Sequence, residues 1–405
     1  MKYFTIVTKS YLGLALTLRR SLMDNSNIQE SDFYIFILDG DKKNTQFIVN
    51  VNTLIENHLY EALSFKYDIT EFATSVKPII FKHLLSIDDD ITYLDPDIYV
   101  FQKLYDSNYE REYSDKLIHL TPHFLEIDLN KKDYNRYLGS GAYNLGFCRI
   151  RKNNKTEKFL EWWQSMCSTM CYRDRDDHLF TDQKWFDLIF CFFKSQEINI
   201  IRDYTFNVAP WNHHERKIVF EKEKFHVQTR DKLETIRFYH FSGFDYKNLS
   251  DARLENDKFE ISSDINLIQL TKFYGEKLND QSASKYLNKT YIFNKDKNQN
   301  QISLLQRRLF RVITENIELR DQKKINKVKN ELEPLSLGIN KHQERYNPEK
   351  NIKANQKKDL IIKLLFKVLL MIVGVKRYMD FLKYIRYISK FENQVFLTKT
   401  YDRKF

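Results

Sequence analysis

Two carboxylates one residue apart, at the end of an apolar run, are the clearest chemical signal in this chain. Asp95-Pro96-Asp97 follows Ile91-Thr92-Tyr93-Leu94 and precedes Ile98-Tyr99-Val100-Phe101. Carboxylate oxygens suit a hard divalent cation. Pro96 fixes its own φ and biases Asp95 toward extended backbone, so the pair can clamp a cation or simply form a stiff turn between strands. A cation held there would neutralise charge on an anionic ligand. The same spacing recurs at Asp39/Asp41, Asp88/Asp90 and Asp174/Asp176, so context must choose among them. A zinc centre is not expected. Cys148, Cys167, Cys171 and Cys191 show no C-x-x-C spacing and no surrounding histidines, and they read as reduced, mostly buried thiols.

The elements that must position these carboxylates follow from periodicity. Residues 3–8 form a β-rich run, and residues 11–23 carry Leu12, Leu16 and Leu22 at helical spacing, with Ser10 as an N-cap. Residues 33–38 are continuously apolar or aromatic, which suits a strand buried on both faces. Helices are predicted over 48–63 and over 77–85, the latter with Pro78 in its first turn. Strands follow over 91–94 and 98–101, helices over 159–170 and 182–193, and a strand over 237–241. Strands alternating with helices imply an α/β fold with a sheet that is parallel at its start. Ligands of such sheets bind beyond the carboxyl ends of the strands, where Asp39 and Asp95 both lie. Thr8 and Tyr11 follow the first strand, where an aromatic ring can stack on a planar ligand or pack on the sheet edge. Asp39, at the second strand end, can reach the same ligand.

Taken together, several segments resemble bacterial GT-A glycosyltransferases related to glycosyltransferase family eight. Segment 91–101 resembles that family's metal-binding segment, and Lys77-Pro78 with the helix to Leu85 resembles the helix before it. Gly141 to Phe147 resembles an F-N-x-G-type loop, Asp182-Gln183 a D-Q helix start, and Asn207 to Asn212 the loop before the last core strand. Tyr239-His240 to Gly243 resembles the histidine-bearing segment. The motifs occur in the family's order from residue 1 to about 250, with a weaker likeness through Tyr274 and Tyr291 to about Arg311. The resemblance implies a GT-A, Rossmann-like nucleotide-sugar domain with a mixed central sheet. It implies Mn²⁺ or Mg²⁺ on Asp95, Asp97 and His240, and a donor sugar beside Asn144 and Gly146. Asp182 and Gln183 would face the reacting sugar. A basic role for Asp182 gives inversion and a hydrogen-bonding role gives retention; the likeness favours retention. No Lys-Pro-Trp follows Gly243, which leaves open the cation that closes over the diphosphate; Lys77 is the substitute. Trp211 and His213 face an acceptor or pack.

Composition bounds the rest. With 42% apolar residues in 405, and only 9 Gly and 6 Pro, the chain can build a large core and is neither collagen-like nor Pro/Gly-disordered. A net charge of +10 favours anionic partners. Expected boundaries are a catalytic domain over 1–250, a helical extension over 251–319, a polar linker over 320–356 and a basic amphipathic helical tail over 357–405. In the tail, Asp359, Lys363 and Lys367 form one polar stripe on an apolar helix, and Lys376, Arg377, Lys383, Arg386 and Lys390 follow. That pattern suits an anionic membrane surface contacted through 360–390, or a helix packed on protein. The start of the chain lacks a secretory pattern, so a cytoplasmic protein, peripheral on the membrane's inner face, is expected. The expected partners are a nucleotide-diphosphate sugar, in particular a UDP-sugar, and a cell-surface glycan or glycolipid acceptor, without nucleic acid. The rival readings are a sugar-nucleotide nucleotidyltransferase and a non-catalytic membrane- or glycan-binding module. The first should carry a Gly-rich loop after its first strand, yet residues 9–13 hold one Gly.

Overall fold

The structure is a computed structural model that describes all residues except 41–42, 131–133, 248, 250–253, 255–263, 340–354 and 400–405. The chain divides into two compact units, Met1–Asn57 with Ile69–Ile292, and His58–Asp68 with Phe293–Phe405.

The first unit begins with β1 (Lys2–Val7), a 3-10 turn and α1 (Leu12–Ser26), then β2 (Phe33–Ile37) and β3 (Ile48–Asn50). Helix α2 (Asn57–Lys66) belongs almost wholly to the second unit. The first unit resumes with α3 (Ile69–Ser75), α4 (Lys77–Leu85), β4 (Asp90–Leu94), β5 (Ile98–Val100), α5 (Ser107–Tyr113), β6 (Ile118–Pro122), α6 (Asn135–Ser140), β7 (Tyr143–Arg151) and α7 (Asn154–Met170). A short ribbon, β8 (Arg173–Asp174) and β9 (Leu179–Phe180), precedes β10 (Ile198–Ile200), the meander β11 (Lys217–Glu221), β12 (Lys224–Gln228) and β13 (Leu233–Thr235), and β14 (Phe238–His240). Helices α8 (Ile265–Asp280) and α9 (Ser284–Leu287) end the unit.

The central sheet has seven strands in the order β10-β6-β7-β4-β1-β2-β3. Only β7 runs against its neighbours; the other pairings are parallel. This is the expected α/β class with a mixed sheet. Strand alternation sends β1 side chains to two cores. Tyr3 and Val7 join Leu18 and Leu22 of α1 on one face. Phe4 meets Phe81 of α4 edge-on at 4.9 Å on the other, and Phe81 continues to Trp163 of α7 at 6.2 Å. A separate two-stranded sheet pairs β5 with β14. Beneath it lies a further core in which Phe241 stacks on Tyr274 of α8 at 3.8 Å.

In the second unit α2 packs with α10 (Leu304–Thr314) and α11 (Gln322–Leu332), around Leu309, Phe310, Ile325, Val328 and Leu332. Helix α12 (Gln356–Ser389) follows.

Several local expectations differ from the structure. Residues 48–63 split into edge strand β3, a 3-10 turn and the start of α2, because the sheet edge recruits Ile48–Asn50. Ser10 lies inside the 3-10 turn and caps nothing. Residues 183–191 are 3-10, not α-helical. The stretch read as a polar linker contains α11, whose Ile325, Val328 and Leu332 recur on one buried face, and the 3-10 turn Glu333–Leu335 after it; residues 340–354 of that stretch lie outside the described residues. Cys148, Cys167 and Cys171 are buried and Cys191 is exposed.

Candidate active site

Strand β4 delivers Asp95 to a tight turn. The Asp95 N–H donates to the Gly146 carbonyl at 2.8 Å, and the Ile98 N–H donates back to the Asp95 carbonyl at 3.1 Å, which places Pro96 in the turn position that favours proline. Strand β14 then brings His240 opposite Ile98, and the Phe241 N–H donates to the Asp97 carbonyl at 2.8 Å. His240 Nε2 lies 3.1 Å from Asp97 Oδ1 and 3.7 Å from Asp95 Oδ2. One donor atom from each of Asp95, Asp97 and His240 falls within 4.8 Å of the others.

Two carboxylates and an imidazole fit a divalent cation, and two details agree. The Tyr93 hydroxyl donates to Asp95 Oδ1 at 2.5 Å, which leaves Oδ2 turned toward His240. The side chains of Asp95 and Asp97 keep 30% and 23% of their exposure, so the mouth is open. His240 Nδ1 is buried without a hydrogen-bond partner among the described residues. The His240 ring sits where a side chain on residue 146 would be: a Cβ there would come within 2.5 Å of its Cε1. Burial opposes a proton on His240, but Asp97 and Asp95 outweigh it and raise its pKa. Burial likewise raises the Asp95 carboxyl, against the pull of Lys77 and His240. In both groups the surroundings favour the protonated form, whereas a cation binds the deprotonated one.

The competing carboxylate pairs are already used. Asp90 accepts from Arg149 at 2.6 and 2.8 Å and from Arg151 at 3.0 Å. Asp88 meets the Met1 amino group at 2.9 Å. Asp174 accepts the N–H groups of Asp176 and Asp177 within its own turn. Asp39 accepts the Lys9 N–H at 2.7 Å, and burial raises its carboxyl; Asp41 lies outside the described residues.

Lys77, the first residue of α4, is buried. Its Nζ lies 2.6 Å from Asp182 Oδ2, donates to the Leu145 carbonyl at 3.0 Å and sits 4.0 Å over the Tyr93 ring. Burial works against its charge, but Asp182 and Asp95 raise its pKa overall. Lys77 and Asp182 thus compensate each other. Gln183 is committed at both ends: Oε1 accepts the Leu145 N–H at 3.0 Å and Nε2 donates to the Ser140 carbonyl at 2.8 Å. It shapes the 140–145 segment that carries Asn144. Asn144 Oδ1 accepts from the Gly146 N–H and from Asn207 Nδ2, both at 3.2 Å.

Thr8, buried, bonds its hydroxyl to Ser10 at 2.7 Å. Tyr11 is 40% exposed and lies 5.6 Å from the Tyr246 ring. Burial raises its hydroxyl pKa and the Asp97 charge adds to the rise, which ties Tyr11 electrostatically to the carboxylates. Gly243, at φ 79, occupies the third position of a turn closed by the Phe244 N–H on the Phe241 carbonyl, a position that requires positive φ. Trp211 packs edge-on against His240 at 5.1 Å. His213 meets the Tyr239 hydroxyl at 3.0 Å, and burial pushes its pKa down to about 4.

Sequence reasoning missed Tyr93 and Tyr246. Tyr93 was findable, since residues two apart on a strand share a face. Tyr246 carries no local signal.

No protein-family model matches the sequence, and no curated protein matches it significantly. Solved structures do show likeness. The galactosyltransferase LgtC, in complex with donor and acceptor sugar analogs, is 14% identical over 72% of this chain and 98% of its own, with a TM-score of 0.37. The glycosyltransferase GlyE of Streptococcus pneumoniae is 14% identical over 76% of this chain and 72% of its own, also at 0.37. A glycosyltransferase involved in glycosylation of the major capsid of PBCV-1 is 12% identical over 59% of this chain and 93% of its own, at 0.31. At these scores the likeness defines no family, and the case for a function rests on the side chains.

Proposed function

We propose that this chain is a metal-dependent glycosyltransferase of the GT-A type. It would move a sugar from a nucleoside diphosphate donor, in particular a uridine diphosphate sugar, to a glycan or glycolipid acceptor. One observation carries the reading. Thr8, Asp39 and Asp95 follow the carboxyl ends of the adjacent parallel strands β1, β2 and β4, where α/β sheets bind ligands, and Asp97 and His240 close on Asp95 there.

Asp95, Asp97 and His240 would hold Mn²⁺ or Mg²⁺, and the ion would supply the charge that neutralises the leaving diphosphate. Tyr11 offers a ring for the base. Asn144, beside Gly146 at the start of β7, would orient the donor sugar. Asp182 Oδ2 is engaged by the Lys77 ammonium at 2.6 Å, which suits a positioning role better than that of a general base. That favours retention at the anomeric carbon. The nucleotidyltransferase reading fits less well, since Lys9–Tyr11 after β1 is a 3-10 turn and not a glycine loop.

The test is transfer or donor hydrolysis with UDP- and GDP-sugars, with Mn²⁺ or with EDTA. Asp97→Asn should lower turnover at least about 100-fold, the scale of one lost electrostatic group, with unchanged thermal unfolding. Full turnover in excess EDTA would overturn the metal assignment, and calorimetry showing GDP but no UDP binding would overturn the donor.

A further inference from the structure

Helix α12 (Gln356–Ser389) has no buried residue, although it carries Leu360, Leu364, Leu365, Val368, Met371 and Ile372, each at least 41% exposed. An apolar surface of this extent marks an interaction site. The helix is not straight. Gly374 has φ 78 and ψ 165, a backbone state open essentially to glycine alone. Phe366 and Tyr378, twelve residues apart, would be separated by about 18 Å along a straight helix, yet their rings are 6.3 Å apart. The two arms, 356–373 and 375–389, therefore bend toward each other.

The far end is fastened. After α12 the chain turns through Phe391–Asn393 and Val395–Leu397, Val395 packs on the Leu309–Phe310 cluster, and Glu392 lies 3.7 Å from Arg308 and 3.8 Å from Arg311. The exposed arms are thus held by the second unit and are not a loose terminus.

Each arm has a polarity. In 356–373, Asp359, Lys363 and Lys367 form one stripe at four-residue spacing, tied by a 2.6 Å Lys363–Asp359 pair, and almost all the rest is apolar. In 375–389, Tyr378, Leu382 and Ile385 share a face at helical spacing, while Lys376 and Lys383 lie on the other. From 356 to 390 there are nine Lys and Arg against two Asp. That excess disfavours a second copy of the same helix as the covering surface, because like charges would meet. No helix among the described residues is long and apolar enough to cross a membrane.

We propose that α12 seats this chain on an anionic lipid bilayer, with the apolar arm 356–373 lying in the interface and the basic arm 375–389 against the headgroups. Apolar burial and headgroup charge together give stable but reversible attachment. The attachment is independent of the transfer chemistry.

The experiment is vesicle flotation of the full chain, on phosphatidylcholine with and without about 30% phosphatidylserine. The wild type should float with the anionic vesicles at low salt and bind on the order of 10-fold more weakly in 0.5 M salt. Lys376→Gln with Lys383→Gln should cut partitioning about 30-fold. Leu364→Ser with Ile372→Ser should cut it at least about 10-fold. Both pairs should leave circular dichroism and transfer to a soluble acceptor unchanged, and Asp97→Asn should float like wild type. Absence of flotation with anionic vesicles at low salt would overturn the proposal, as would equal, salt-insensitive flotation with neutral ones. A wild-type dimer that does not float and becomes monomeric in the serine variant would assign the surface to a second copy instead.

Discussion

A glycine and a tyrosine shape the Asp95–Asp97–His240 cluster as much as its own members do. Gly146 leaves room for the imidazole: an added Cβ would meet His240 Nδ1 at 2.8 Å as well as Cε1. Gly146→Ala should therefore turn the ring off its carboxylates and weaken Mn²⁺ binding, measured calorimetrically, by at least about 10-fold, while overpacking costs about 1–3 kcal/mol of stability. Tyr93→Phe keeps the ring beneath Lys77 but deletes the 2.5 Å bond to Asp95. Mn²⁺ affinity should fall on the order of 10-fold, the usual effect of losing a partner that orients a ligand. Unchanged affinity in both variants would mean that these neighbours only pack.

Among the elements, α2 in the second unit depends on one arginine. Arg307, buried on α10, donates to the carbonyls of Ser64, Phe65 and Tyr67 at 2.6–3.1 Å and to that of Phe293 at 2.8 Å. The first two are among the last four carbonyls of α2, which have no partner inside the helix. Arg307→Lys should cost about 2–3 kcal/mol in urea unfolding, because a single ammonium cannot reproduce the planar fork; a loss below about 0.5 kcal/mol would contradict this. How legible each element was in the sequence follows the range of its causes. Helix α4 matches its predicted bounds because Pro78 and the apolar spacing act locally. Strand β3 was missed because only the neighbouring β2 makes it a strand. In the site, the Asp95 turn could be read from a strand ending in carboxylates, and Asn144 and Gly146 from a recognised loop. The Lys77–Asp182 pair could not, since 105 positions in the sequence separate its members. Gln183 illustrates a further limit: the family resemblance implied a sugar contact, while its two hydrogen bonds to backbone were invisible.

At the scale of the whole molecule, buried histidines of the first unit make folding depend on pH in opposite ways. Burial pushes the His123 and His213 pKa values down to about 4, and burial with nearby Arg149 holds His119 well below its ordinary value. Unfolded, these rings titrate near about 6.5. Their neutral forms favour the fold fully above that value, and the contribution is lost as pH falls from about 6.5 toward 4, where the unfolded chain binds up to three more protons. Each proton is worth about 1.4 kcal/mol per pH unit, so the slope reaches about 4 kcal/mol per unit. His240 has the opposite sign. Its folded pKa is raised, so its contribution is complete below about 6.5 and disappears as pH rises through the folded value. Without metal, these four rings together should therefore favour the fold most near ~pH 6.5. A divalent cation binds an imidazole only in its neutral form, so Mn²⁺ held by His240 should restore stability on the alkaline side and leave the acid limb unchanged. The measurement is urea unfolding from pH 5 to 9 with EDTA or Mn²⁺, alongside His123→Gln, which should remove about one third of the acid slope. An alkaline limb unaffected by Mn²⁺ would detach His240 from the cation, because the ion would then have no proton to displace from that ring.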